Sequence, residues 1–341
     1  MAVPVGTAVA SAGTDGVLAG APAARTDLQV DVLICAYTAD RWEDVRAAIA
    51  ALRAQTRPAT RIVLAIDHND RLYERAVDEF GDCLVVRNTE QRGLSGARNS
   101  AIRACPADDV ERQVLVFLDD DAVPEPEWLA GMVAPIEADD RVMVVGGRAV
   151  AAWDGGRPGW WPEEFDWAVG CSYRGLPTSR AEVRNAIGCA AAFRGNVFRL
   201  VGDFTSGIGR VGADAAGGEE TELQIRLRQA APAAVILYEP AAVVHHRVPA
   251  ARARWSYLRR RCWAEGRSKA LISGLVGSDD ALSSERAYVR SVLPRGVVRA
   301  LGCGLRGDLG GFGRAAAIVA AVGSTTVAYG WTTLRRRFRL S

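Results

Sequence analysis

Val114-Leu115-Val116-Phe117-Leu118-Asp119-Asp120-Asp121-Ala122 is the stretch from which the rest of the chain can be read. Its apolar run, rich in β-branched residues, predicts a strand buried on both faces. Three consecutive carboxylates close it, and burying that much negative charge is costly unless a cation neutralises it. In an open α/β sheet the carboxyl end of such a strand is where ligands bind. Hard carboxylate oxygens suit Mg2+ or Mn2+, metals that bridge to phosphates. A site for a nucleotide or a sugar phosphate is therefore expected here. The bland alternative is a solvated turn with Asp capping a helix ahead of Pro124.

Working outward, strand and helix patterns alternate. Residues 30–36 and 61–67 are apolar runs, the second ending in Asp67, and 83–87 is a third strand. Between them, Val45, Ala48, Ile49 and Leu52 give residues 42–55 helical spacing, and 73–80 and 95–104 are also helical. This order predicts an α/β fold with a mostly parallel sheet and right-handed crossovers. Beyond the acidic strand come a helix over 127–136, a strand over 142–147 and a long Gly-, Pro- and Trp-rich loop over 153–177. Helices over 195–201 and 219–230, strands over 234–238 and 242–245, and a long basic helix over 254–275 follow.

Composition is globular, with 49% hydrophobic and 24% charged residues among 341. A net charge of +2 gives no sign of a nucleic-acid partner. Seven cysteines without a Cys-x-x-Cys pair fit the reduced thiols of a cytosolic compartment better than zinc or a disulfide framework. Residues 1–27 are small and apolar but lack a basic start, and read as a disordered leader. A main domain over 28–275 and a helical extension over 276–341 complete the division. Within the extension, 315–334 carries no charge and precedes Arg335-Arg336-Arg337-Phe338-Arg339. That length suits a membrane span, while its Ser and Thr content suits a buried or interfacial helix equally. If it spans, the arginines stay cytoplasmic.

Three further motifs carry chemistry. Gly217-Gly218-Glu219-Glu220-Thr221-Glu222-Leu223 delivers a helix with an acidic first turn. Dipole complementarity alone explains about 0.3–1 kcal/mol of that; the functional alternative is a general base in a cleft. His245-His246 ends a strand, so only one of the two can face a cleft beside the acids. Gly93-Leu94-Ser95-Gly96-Ala97-Arg98-Asn99 opens a helix with glycines and a cation, a weak phosphate-site pattern.

Taken in order, these blocks resemble family 2 glycosyltransferases, from about residue 30 to 269. The resemblance implies a GT-A-like fold, with a mostly parallel central sheet flanked by helices and here a C-terminal helical extension. It implies a metal-dependent, inverting transfer from a nucleoside-diphosphate sugar to a hydroxyl of a glycan, lipid or small molecule. Ala36, Tyr37, Asp67, Arg98, Asp119 and Asp120 would surround the nucleotide sugar. Asp119, Asp121 and His246, with His245 as the fallback, would hold Mg2+ or Mn2+. Glu220 occupies the second position of the family's Glu-Asp pair, the base, with Glu219 beside it.

Trp160, Trp161, Trp167 and Trp263 are candidates for stacking on an acceptor sugar, or else ordinary packing aromatics. The arginines over 259–267 suit an anionic lipid acceptor or an acidic membrane; the resemblance implies cell-envelope glycan synthesis by a cytoplasmic protein, at the cytoplasmic face if it meets the membrane.

The chain also departs from the pattern. Asp67-His68-Asn69-Asp70 stands where relatives carry Asp-(Asn/Asp)-Gly-Ser, and the base position holds Glu. Arg259-Arg260-Arg261-Cys262-Trp263 lacks the Gln of the QxxRW element of processive synthases, which argues against a polymerising enzyme. Two rivals stay open. Asp119 to Val123 also fits the Asp-x-Asp-x-(Thr/Val) signature of haloacid-dehalogenase-like phosphohydrolases, with Asp119 as nucleophile, although that motif belongs on a first strand. The other is a non-catalytic sugar-nucleotide binder.

Overall fold

The structure, a computed structural model, describes residues 28–210 and 217–340; the expected leader lies outside them. The first half repeats strand and helix: β1 (Gln29–Ala36), α1 (Trp42–Arg53), β2 (Arg61–Ile66), α2 (Asp70–Glu79), β3 (Leu84–Arg87), α3 (Leu94–Arg103) and β4 (Gln113–Asp119). There follow β5 (Ala122–Pro124), α4 (Trp128–Ala138), β6 (Val142–Trp153), β7 (Ala181–Glu182), β8 (Ala190–Arg194), α5 (Asn196–Val201), α6 (Glu219–Ala230) and β9 (Val235–Val248). Helices α7 (Trp255–Val276), α8 (Ser278–Ala281), α9 (Ser283–Ala287), α10 (Leu293–Leu305) and α11 (Gly310–Leu340) complete the chain.

All nine strands join one sheet in the order β3-β2-β1-β4-β8-β6-β9-β5, with β7 on β9. β3, β2, β1 and β4 pair in parallel, β8 enters antiparallel between β4 and β6, and β9 runs parallel to β6. Side chains alternate across the sheet, and both faces are covered. Val32, Ile34, Val114, Val116 and Leu118 pack into one cluster, and Leu33, Leu115 and Phe117 into another. Each such side chain contributes about 1.5–3 kcal/mol through burial. Parallel register brings Cys35 level with Asp119 and Ala36 level with Ile66. The carboxyl ends of β1, β2 and β4 therefore open at one edge.

The fold adds elements that local pattern does not announce. β8 is Ala-Ala-Ala-Phe-Arg, fully buried, and its alanines carry no strand preference; pairing with β4 and β6 makes it a strand. The two short strands expected over 234–245 are one continuous β9, held along its length by β6. Inside the expected loop over 153–177 lies a 3-10 helix, Glu163–Val169.

Close approach fixes α3. A Cβ on Gly96 would fall 2.0 Å from the Gln91 carbonyl oxygen, so only glycine lets the first turn sit against the loop that precedes it. Gly96→Ala should cost about 1–3 kcal/mol through overpacking, read as a lowered urea midpoint with an unchanged slope.

Candidate active site

The strand ends open into a cavity lined by Ala36, Tyr37, Asp67, Arg98, all three of Asp119 to Asp121, Glu219, Glu220 and His246. Register places the histidine. β5 pairs antiparallel with β9 so that Ala122 faces His246, which brings the buried imidazole beside Asp121. Its Nε2 lies 3.1 Å from Asp121 Oδ1 and 3.7 Å from Asp119 Oδ2. His245 points away, exposed, 3.0 Å from Glu125. One ligand atom from each of Asp119, Asp121 and His246 falls within 4.8 Å of the others.

That cluster fits a divalent cation. Bonds of about 2.1 Å in octahedral geometry separate adjacent ligand atoms by about 3 Å, close to the His246–Asp121 spacing. Charge agrees. Burial alone would lower the His246 pKa, but Asp121 and Asp119 outweigh it and hold the imidazole well above its ordinary range. Burial would likewise raise Asp121; His246, Arg41 and Arg252 hold it far below the usual carboxylate range instead. Asp119 is also lowered against its burial, chiefly by His246 and Arg98. A protonated imidazole thus supplies positive charge among these carboxylates, and a metal bound there would replace that proton.

Asp120 has different surroundings. Arg41 donates to its Oδ1 at 2.7 Å and lies 3.2 Å from Asp121. Burial nevertheless pushes the Asp120 carboxyl up to about 7. Its Oδ2 is buried without a partner. Arg41 had no motif to reveal it. Its signal was indirect, since three buried acids require cations from somewhere. Arg252, 3.8 Å from Asp121, was missed for the same reason.

Asp67 and Arg98 spend their polar atoms on the protein. Asp67 accepts from Asn88 Nδ2 at 2.7 Å and from the Gly93 N–H at 3.0 Å, tying the end of β2 to the start of α3. Arg98 donates to Glu219 Oε1 and to the Gly188 carbonyl, both at 2.9 Å, and lies 3.6 Å from Asp119. It therefore bridges the acidic strand to the acidic helix.

Gly218 delivers that helix. Its φ of +98° favours glycine, and a Cβ would meet Ile272 Cδ1 of α7 at 2.7 Å. The two glutamates that follow diverge in character. Glu219 is buried on Arg98. Glu220 is partly exposed in the cavity wall and takes no ion pair among the described residues. Burial and the charge of Glu219 push its carboxyl up to about 7, against the pull of Arg98.

The three tryptophans Trp160, Trp161 and Trp263 fall outside the cavity wall. Trp161 is buried in the core, its indole N–H donating to Asp166 at 3.0 Å. Trp160 stacks on Trp255, with ring centroids 4.4 Å apart, and Trp263 sits exposed on α7. Trp167 does line the cavity, with the Arg261 guanidinium 5.3 Å from its ring centre.

Comparison with known proteins identifies the family and the fold. The sequence profile of glycosyl transferase family 2 matches residues 31–202. Over 271 residues the chain is 31% identical to a glucosyl-dolichyl phosphate glucuronosyltransferase of Haloferax volcanii, covering 78% of this chain and 83% of that protein. It is 25% identical over 247 residues to the succinoglycan biosynthesis protein ExoM of Rhizobium meliloti, covering 71% and 74%. The structure of the mannosyltransferase PcManGT from Pyrobaculum calidifontis, in complex with GDP-Man and Mn2+, superposes with a TM-score of 0.53 at 16% identity, covering 88% of each chain. The fold shared with that structure is GT-A, and these matches displace the phosphohydrolase reading of Asp119.

The raised Glu220 pKa has a consequence for stability. From its ordinary value of 4.5 up to about 7 the folded protein keeps a proton that the unfolded chain releases. Stability conferred by that proton is lost as pH rises through this window. Glu220→Gln removes the loss. Its Tm should match the parent's at pH 4.5 and exceed it by a few degrees at pH 8, as followed by calorimetry.

Proposed function

Because the chain belongs to glycosyl transferase family 2, we propose that it moves a sugar from a nucleoside diphosphate to a hydroxyl of a lipid- or glycan-linked acceptor, with inversion at the anomeric carbon. One observation carries this reading: a carboxylate without an ion pair, Glu220, shares a cavity with the Asp119, Asp121 and His246 cluster. Those three residues would hold Mg2+ or Mn2+, which when bound neutralises a diphosphate leaving group.

The chain's own groups account for the rest. Ionised Glu220 takes the proton of the acceptor hydroxyl, whose oxygen bonds to the anomeric carbon from the face opposite the diphosphate. The carbon–oxygen bond to the diphosphate breaks as that bond forms, and its electron pair leaves with the diphosphate. Glu219, held by Arg98, and Asp119 supply negative charge beside a carbon that becomes positive in the transition state. Asp120 accepts from a hydroxyl of the nucleotide sugar, with Ala36, Tyr37 and Asp67 bordering the nucleotide.

Arg261 supports an anionic acceptor. It lines the same cavity; its Nη1 pairs with Glu265 at 2.8 Å, while its Nε is buried without a partner. The Haloferax volcanii relative is named for a lipid-phosphate acceptor, and a guanidinium suits that phosphate. Cys35 and Cys189, also in the wall, are free thiols pushed up by burial, Cys35 to about 12. The seven cysteines, all free, suit the reducing, cytoplasmic side of a membrane.

The test is a thermal-shift panel of UDP, GDP, ADP and dTDP, each with and without Mn2+. One diphosphate should stabilise the protein, only with metal, and Asp121→Asn should abolish the effect. Glu220→Gln should keep that stabilisation while lowering turnover on lipid-phosphate acceptors by about 10²–10⁴-fold. Absence of any metal-dependent shift would overturn the reading. Stabilisation without turnover on any acceptor would favour a binding protein.

A further inference from the structure

Helix α11 has the length and composition to cross a bilayer, with a mean hydropathy of 1.3 over its apolar window. Its packing assigns it elsewhere. A Cβ on Gly266 of α7 would fall 2.3 Å from the Thr325 carbonyl oxygen, so the two helices touch backbone to backbone. Thr325 Oγ1 lies 3.1 Å from the Cys262 carbonyl, and Arg336 Nη1 donates to the Ala270 carbonyl at 3.1 Å. The Tyr329 and Ser273 hydroxyls lie 3.4 Å apart. Near its start, Gly311 packs against the Ala300 carbonyl of α10. A helix fastened in this way to the catalytic domain cannot also run across a membrane.

The opposite face of α11 is uncovered. Phe312, Val319, Val327, Trp331, Leu334 and Phe338 are exposed at spacings that return to one side of a helix. At 3.6 residues per turn, this stripe lies roughly 160° from the residues that meet α7. On α10, Val298, Leu301 and Leu305 form a second exposed stripe. Leu305 and Leu309, flanking the turn between the helices, are 80% and 77% exposed. Exposed Arg306 stands beside Leu305, and Arg335 packs 4.5 Å over the Trp331 ring. After Glu285 the chain has ten arginines and a single acid, Asp308; Arg286, Arg299 and Arg314 pair with Asp279, Glu164 and Asp308, while Arg290, Arg295, Arg306 and Arg335 are exposed.

Exposed apolar side chains, a tryptophan and the exposed Arg306 and Arg335 on two adjacent helices match the interface of an anionic bilayer. We propose that α10 and α11 bed in the headgroup region of such a membrane, with α11 in its plane as a monotopic anchor. The inference stands on helix packing and surface charge, independently of the reaction. Joined to the proposed function, it explains how a lipid-linked acceptor reaches the cavity: Arg261 lines the cavity, and Cys262, the next residue of α7, touches α11.

Flotation of the full chain with phosphatidylcholine vesicles, and with vesicles containing 30% phosphatidylglycerol, tests this without nucleotide or turnover. Binding should require the anionic lipid, weaken with salt and be released by alkaline carbonate. The double variant Leu305→Glu, Leu309→Glu should bind at least tenfold more weakly, with unchanged Tm. No binding of the parent to anionic vesicles would overturn the proposal. So would a carbonate-resistant chain, which would indicate a span. A dimer in solution abolished by the same double variant, without vesicle binding, would assign the face to a second copy instead.

Discussion

Three carboxylates at the end of a buried strand must be balanced, and much of the molecule is arranged around that need. Arg41 reaches Asp120 and Asp121 from the turn after β1, Arg98 reaches Asp119 from α3, and His246 reaches Asp119 and Asp121 from β9. Leaving any of these charges buried and unpaired would cost several kcal/mol. Elements from both halves of the sheet are therefore committed to one point. Register between β5 and β9 follows from the same requirement, since a one-residue slip would turn His245 inward and carry His246 out.

The same balance separates two adjacent glutamates. Glu219 and Glu220 have equal chemistry and neighbouring backbone positions, yet Arg98 hydrogen-bonds only the first. Burial raises the Glu220 carboxyl first, and the charge of Glu219 beside it adds to that; Glu220 has no ion-paired cation of its own among the described residues, so its proton is held more tightly. A group that ionises near neutrality is suited to removing a proton from a hydroxyl, because it is available as a base without being a poor acceptor. One guanidinium thus divides the pair into an electrostatic residue and a candidate base.

Much of this was legible in the chain. The strands β1, β2 and β4 are continuous apolar runs, and the residues expected to start α6 do start it at Glu219. The alternation of strand and helix implied the edge at which the acids open, whereas His246 was expected only from the family resemblance and meets them through the β5–β9 register. What escaped depends on long-range contact. β8 is a strand only because β4 and β6 flank its alanines. Arg41 and Arg252 lie in short 3-10 turns with no motif around them. Trp161 was a candidate because indoles stack on sugars, but the stretch beside it folds into a 3-10 helix and the ring is buried.

Helix α7 joins parts that sequence keeps far apart. Ile272 closes on Gly218, the Gly217 N–H lies 3.4 Å from Ser268 Oγ, Arg261 reaches the cavity, and Cys262 and Gly266 carry α11. It works as a keel: the seat of Glu220 and the orientation of the apolar C-terminal face are set by one rigid rod. Any substitution that tilts this rod moves the candidate base and the outer helices together, so placement at a surface and alignment for chemistry are a single mechanical property of the chain.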